Sequence, residues 1–409
     1  MTPGARLAAT IELTDKIWTG RVPMDKQAAD YFRPRRHVGA KDRAEVAERT
    51  YSLMRHNARL DWWCTRLNVQ GVRARTLLHS VLVEGASLKR VSDLFSGRGY
   101  DPEPLTDEER TWLATIEGQT INHPDMPEIV RLECPAHAEG FLRERFGDDF
   151  AAKMEEMLTP APLDLRVNTV LTTKAIAKAS LAKDGIETED MKISPWGLRV
   201  LGKVYLASSK AFAKGWVEIQ DEGSQVIAMV CDALPGQQVM DYCAGGGGKT
   251  LALAAAMNNK GRVVAMDTSE DRLEKGKPRF RKAGIHNIEV RPLSDEKQRT
   301  WFKRQKENFD CVLVDAPCSS SGTWRRNPDL RWRPYGPSLD ELLATQAEIL
   351  DRVVKTVKPG GKLVYATCSL NRAENEDQVA AFLERHPQFK LAESRAHNGF
   401  FVARIIKEV

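Results

Sequence analysis

The run Phe309-Asp310-Cys311-Val312-Leu313-Val314-Asp315-Ala316-Pro317-Cys318 constrains this chain's fold more than any other stretch. Its middle is apolar without a polar break, as a strand buried on both faces of a parallel sheet requires. It then breaks into an acid, a proline and a thiol. Asp315 and Cys318 are thereby expected at the carboxyl end of a central strand, where open α/β sheets hold their ligands. A second run, Lys362-Leu363-Val364-Tyr365-Ala366-Thr367-Cys368-Ser369, ends the same way. Two thiols and a carboxylate are therefore expected to face one crevice. The competing expectation is two buried structural cysteines, since unpaired Cys is among the most buried residue types.

Around these runs the pattern alternates. Strands are expected over 238–242, 262–267, 288–293, 311–317 and 362–368, and helices over 249–257, 269–283, 339–357 and 375–384. Such alternation predicts a doubly wound parallel sheet. Two late segments, 389–393 and 400–406, are expected to form an antiparallel edge. Upstream, Pro160-Ala161-Pro162 marks a boundary, because proline stops a helix and stiffens a linker. Residues 163–215 read as a small α/β module, with strands over 165–168 and 198–200 and a helix over 172–183. Residues 1–158 read as helical. Val46, Ala47, Tyr51, Leu53, Met54, Leu60 and Trp63 recur at helical spacing across 41–66. The expected division is 1–158, 159–215 and 216–409.

Charge is uneven. Residues 1–100 carry 18 Lys/Arg against 10 Asp/Glu, residues 101–158 carry 5 against 15, and residues 159–409 carry 38 against 31. Two basic regions flank an acidic one, which suits a polyanionic partner such as nucleic acid; an ordinary solvated surface is the competing reading. Arg55 and Arg59 lie among aromatics in the first basic region, a pattern that clamps phosphates and stacks on bases. The seven cysteines are scattered and lack a CxxC pair, so neither a disulfide framework nor a metal site is expected, and a reducing cytoplasm fits. No 18-residue apolar stretch exists, so no membrane span or leader is expected.

Between the first expected strand and its helix stands Asp241-Tyr242-Cys243-Ala244-Gly245-Gly246-Gly247-Gly248-Lys249-Thr250. Glycines let backbone approach a ligand closely, and the helix start behind them offers unpaired amides. Asp267 follows 19 residues after Gly248 at the end of the next strand, placed to accept both ribose hydroxyls of a nucleoside. Gly248-Lys249-Thr250 also ends like a P-loop, with Asp315 as its metal-binding acid. That motif needs glycine at the position Cys243 occupies, which argues against a nucleotide hydrolase.

The remaining motifs are Asp315-Ala316-Pro317-Cys318-Ser319-Ser320-Ser321-Gly322 with Arg325-Arg326-Asn327-Pro328-Asp329, and Thr367-Cys368-Ser369 with Glu374-Asn375-Glu376. In this order they resemble the RsmB/Nop family of RNA cytosine-5 methyltransferases, across about residues 160–409, and Asn398-Gly399-Phe400-Phe401 resembles that family's last strand. The order Lys41-Asp42-Arg43, Tyr51-Ser52-Leu53-Met54-Arg55 and Leu60-Asp61-Trp62-Trp63 resembles the NusB-like helical RNA-binding domain. The resemblance implies an α/β, Rossmann-like methyltransferase sheet after an all-α NusB-like domain and a small α/β module.

It also implies an enzyme that forms 5-methylcytosine, most readily in ribosomal RNA, acting as a cytoplasmic monomer with S-adenosylmethionine and no metal. Carbon 5 of cytosine is a poor nucleophile until a thiolate adds to carbon 6. Spacing leaves both thiols open for that role. DNA cytosine methyltransferases attack with the Cys of a Pro-Cys pair, which selects Cys318. The resemblance to the RNA enzymes selects Cys368 and gives Cys318 to product release. It assigns Asp315 to the cofactor region or ring nitrogen 3. Cys243, Ala244, Gly245, Gly246, Gly247, Gly248, Lys249 and Asp267 go to the cofactor, and Arg325 and Arg326 to RNA. Gly246 stands where the family usually has proline, which predicts a looser loop. The family's acid after the third strand falls near Ser294 or Asp295 without a firm match. The alternative is an RNA-binding protein with an inactive methyltransferase fold.

Overall fold

The computed structural model describes residues 1–333 and 335–409. It divides into two compact units, one of Met1–Pro160 with Thr323–Gly336, the other of Ala161–Gly322 with Pro337–Val409. The first break falls on the expected proline stretch. The expected second and third domains share one unit, and 14 residues of the expected third domain, Thr323–Gly336, belong to the first.

The regular elements described in the first unit are all helical. The apolar face over 41–66 is not one helix but two, Ala40–Arg55 and Asn57–Leu67. The cap of the second is remote in sequence. Glu133, without solvent exposure, accepts the amides of Ala58 at 2.6 Å and Arg59 at 3.1 Å, capping the second helix, and takes Arg59 Nε at 2.9 Å. Burial pushes the Glu133 carboxyl up to about 7, against the pull of Arg59. The helices close over Leu53, Leu60, Trp63, Leu77 and Leu113.

Thr323–Gly336 is a strut of this unit. Asp329 accepts the Met24 amide at 2.9 Å, at the start of helix Met24–Phe32, which lacks a side-chain cap of its own. Arg331 is buried and donates to the carbonyls of Glu133 and Met157, both at 3.3 Å. Trp332 Nε1 donates to the Met54 carbonyl at 2.9 Å.

The second unit holds two sheets. The smaller contains β1 (Asp164–Val167), β2 (Thr188–Asp190), β3 (Gly197–Val200) and β4 (Val217–Ile219), in the antiparallel order β2-β3-β1-β4. The larger contains β5 (Gln238–Asp241), β6 (Arg262–Asp267), β7 (Ile288–Pro292), β8 (Phe309–Asp315), β9 (Val357–Thr367), β10 (Phe389–His397) and β11 (Phe400–Lys407). Its order is β10-β11-β9-β8-β5-β6-β7, parallel from β9 to β7 and closed by an antiparallel β10–β11 hairpin on β9.

β8 shows why its sequence reads apolar throughout. Cys311 and Leu313 enter the core on one face, with Leu251 and Val402, while Val312 and Val314 enter the core on the other, with Leu350 and Phe382. Val312, Leu313 and Val314 have no exposed surface, and each such burial is worth about 1.5–3 kcal/mol. From β5 the chain runs outward to β6 and β7, then returns to place β8 on the other side of β5. The strand order therefore reverses between β5 and β8, and the crevice beyond their carboxyl ends is where such sheets bind ligands. No described helix is long and apolar enough to cross a membrane.

Arg59→Ala leaves the Glu133 carboxylate buried without its ion partner. It is expected to cost the helical unit about 3–5 kcal/mol, read by urea unfolding; an unchanged midpoint would contradict the pairing.

Candidate functional site

The site is built at the ends of β5, β6, β8 and β9. Parallel pairing sets β8 and β9 in register, with Asp315 opposite Ala366. Each strand then ends in a turn that carries a thiol, and Cys318 Sγ lies 3.4 Å from Cys368 Sγ. Ser320, a non-glycine residue with φ of +58°, sits in the first turn with its Oγ 3.4 Å from Cys368 Sγ. The left-handed region is sparsely used by such residues, so the turn holds its backbone against a local preference. Gly322 closes it: its amide donates to the Cys368 carbonyl at 2.9 Å, and a Cβ there would meet the backbone of Gly399, in the β10–β11 turn, at 1.8 Å. Only glycine permits that approach.

Lys249, on the first turn of helix Gly248–Ala256, donates through Nζ to Asp315 Oδ2 at 2.7 Å. Burial pulls its ammonium down, but the Asp315 charge and hydrogen bond outweigh it and hold the group above its ordinary value. Thr250 Oγ1 donates at 2.7 Å to buried Asp241, whose carboxyl burial raises to about 7. Lysine and threonine are thus committed to side chains within the sheet ends, as a P-loop's phosphate and metal ligands are not.

The thiols differ. The hydrogen bond from Cys318 is the largest influence on Cys368 and holds it below the ordinary thiol value; Ser320 and Lys249 act in the same direction, against burial and Asp315. The same contact, with burial, pushes Cys318 well up. Of the two, Cys368 is therefore the readier to ionise.

The glycine loop lies between β5 and its helix. Gly247 has φ of +78°, and a Cβ there would meet the Phe280 ring at 2.4 Å. Asp267, at the end of β6, accepts the Gly245 amide at 2.8 Å through one oxygen and the Ser269 amide at 2.8 Å through the other. Arg272 Nη1 also lies 3.7 Å from the oxygen that takes the Gly245 amide; a carboxylate offers about four acceptor sites, so acceptor capacity remains for a diol. Cys243, Ala244, Gly246 and Gly248 complete the turn. In place of a proline, Gly246 is braced from outside: Arg279 Nη1 donates to its carbonyl at 2.7 Å, and Arg279 Nη2 bonds Glu218 on β4 at 2.9 Å. The smaller sheet thereby stiffens a loop expected to be loose. Asp295 caps helix Glu296–Lys303 through the Lys297 amide.

Sequence reasoning named Glu374-Asn375 only as a motif. Asn375 Nδ2 donates to the Ser369 carbonyl at 2.9 Å, while Asn375 Oδ1 receives the Thr367 hydroxyl, so this side chain grips both flanks of Cys368. Glu374 is buried against Ser319 and Ser369. The Glu-Asn pair that follows the strand end signalled its position but not its partners.

Three of the four arginines expected at RNA brace the helical unit. Arg59 is buried on Glu133. Arg55 donates to the Arg325 carbonyl at 3.2 Å. Arg325 pairs with Glu156 at 3.1 Å and donates to Thr159 Oγ1 at 2.9 Å. Arg59 is thus enclosed by the unit, while Arg55 and Arg325, both half-buried, have partners within it. Arg326 is half-buried in the same segment.

Set beside known proteins, residues 228–405 match a family profile described as 16S rRNA methyltransferase RsmB/F, and residues 140–206 match one described as an RsmF/B-like ferredoxin-like domain. Ribosomal RNA small subunit methyltransferase B of Serratia proteamaculans is 30% identical over 90% of this chain and 92% of its own. A probable counterpart from Synechocystis is 37% identical over 56% of this chain and 51% of its own. Among solved structures, PH0851 is 26% identical with a TM-score of 0.79 over 100% of this chain and 99% of its own. A methyltransferase homologue from Pyrococcus horikoshii is 25% identical with a TM-score of 0.59, over 70% of this chain and 100% of its own.

Because Cys318 lowers Cys368, iodoacetamide should alkylate Cys368 at lower pH than Cys318, and Cys318→Ala should move the Cys368 midpoint upward. Peptide mass spectrometry across a pH series reads both; Cys318 reacting first would contradict the assignment.

Proposed function

This chain belongs to the RsmB/F family of ribosomal RNA methyltransferases, and from that premise we propose that it forms 5-methylcytosine in ribosomal RNA through a covalent Cys368 adduct. The observation that carries the reading is the thiol pair at 3.4 Å beside the Lys249–Asp315 pair. Structural cysteines need no acid and ammonium beside them, and an inactive fold has no use for a thiol held as the readier thiolate.

The residues present fit S-adenosylmethionine. Gly245–Gly248 and the open amides of the following helix give backbone access, and Asp267 keeps acceptor sites for a ribose diol. When bound, the cofactor supplies a methyl sulfonium that carbon 5 of the base attacks. Cys368 Sγ adds to carbon 6, forming the sulfur–carbon bond and sending electron density toward ring nitrogen 3. The Lys249–Asp315 pair meets that density: the Lys249 ammonium supplies the positive charge that stabilises it, and Asp315 orients Lys249 through their hydrogen bond. Cys318, once its own proton has passed to solvent, takes the carbon-5 proton as a thiolate, the carbon 5–carbon 6 double bond re-forms, and Cys368 leaves as the thiolate. Arg326 is proposed as an RNA contact.

Removing the resolving thiol should strand the adduct. Cys318→Ala is expected to accumulate a protein–RNA species stable on denaturing gels, and Cys368→Ala to form none; the reverse pattern would exchange the two roles.

A further inference from the structure

Glu374 has no solvent-exposed surface, yet it is no part of the chemistry above. Its carboxylate is saturated by neutral donors from three places in the unit. Oε1 accepts the Ser319 amide at 2.8 Å and Gln346 Nε2 at 3.1 Å. Oε2 accepts the Ser319 hydroxyl at 2.5 Å and the Ser369 hydroxyl. Ser319 follows Cys318 directly, and Ser369 follows Cys368 directly. The two serines are themselves 3.1 Å apart, and Ser369 Oγ also accepts the Asn371 amide at 3.0 Å. One buried carboxylate thus staples together the residues next to both thiols. Burying a charge is costly unless hydrogen bonds replace its water, and hydrogen bonds to a charge are stronger and shorter than neutral ones. A group merely filling the core would not need that charge.

We propose that Glu374 is a positioning residue, which holds the Cys318 and Cys368 turns together so that the two sulfurs stay in contact. The proposal rests on the thiol-adduct reading above. It accounts for a feature that reading leaves aside, namely what keeps two separate strand ends in register beyond the last ladder bond. The groups that face Cys368 are Cys318, Ser320, Lys249 and Asp315. Glu374 faces Cys318 and adds a negative charge that opposes its ionisation.

That charge gives the test a sign. Glu374→Gln removes it, which alone would ease ionisation of the thiols. If the substitution instead lets the turns separate, Cys368 loses its donor and becomes harder to ionise. The full-length wild type and Glu374→Gln are alkylated with iodoacetamide from about pH 6 to 10, and the midpoint for Cys368 is read by peptide mass spectrometry. The expected result is an upward shift of about one pH unit. Trapping on RNA that carries 5-fluorocytosine, where carbon 5 has no proton to release after methyl transfer, should slow about tenfold. Affinity for S-adenosylmethionine, measured by calorimetry, should be unchanged.

An unchanged or lowered midpoint in Glu374→Gln that still binds the cofactor overturns the proposal. If that variant does not fold, Ser319→Ala decides: an upward shift supports the staple, and a wild-type midpoint overturns it. Alkylation needs no RNA, so a shifted midpoint without any RNA adduct would refute the proposed reaction and leave Glu374 its role.

Discussion

The pairing of β8 with β9 is the constraint on which the rest depends. Both strands are buried on two faces, so neither can slip without pulling Val312, Leu313 and Val314, or Leu363, Val364 and Tyr365, out of a core that covers them completely. A one-residue slip would invert every side chain between the faces. With Asp315 fixed opposite Ala366, the two thiol turns have to emerge side by side. The glycine loop and Lys249 then reach the same place because β5 is the neighbour of β8. The chemistry of the site is in this sense a consequence of hydrophobic register.

What could be read from the residues alone was what depends on local pattern. The apolar runs of β8 and β9, the glycine turn with Asp267, and the Asn398-Gly399 turn between β10 and β11 follow from spacing and turn chemistry. What could not be read depends on partners far along the chain. Glu133 caps the second of the two helices over 41–66 from 75 positions away. β4 is three residues long and adds only one edge to the smaller sheet, too short for a periodic signal. Glu218 and Arg279 join to brace Gly246 across 61 positions. Asp329 caps a helix 305 positions earlier. The side chains among these are polar groups whose partners are set by tertiary structure, and such groups find them in space.

The arginines carry the same lesson. An excess of positive charge in residues 1–100 suggests a polyanion, but a guanidinium has five donors and satisfies carbonyls and carboxylates inside a helical bundle equally well. Arg55, Arg59 and Arg325 do so here, and Thr323–Gly336, which carries Arg325 and Arg326, is a strut of the helical unit.

The central claim is that the thiol pair makes 5-methylcytosine in ribosomal RNA. Bisulfite sequencing of ribosomal RNA tests it most directly, in cells that carry the chain, lack it, or carry Cys368→Ala. The account predicts a cytosine protected from conversion only with the intact chain and exposed in the other two. Identical conversion in all three would contradict it.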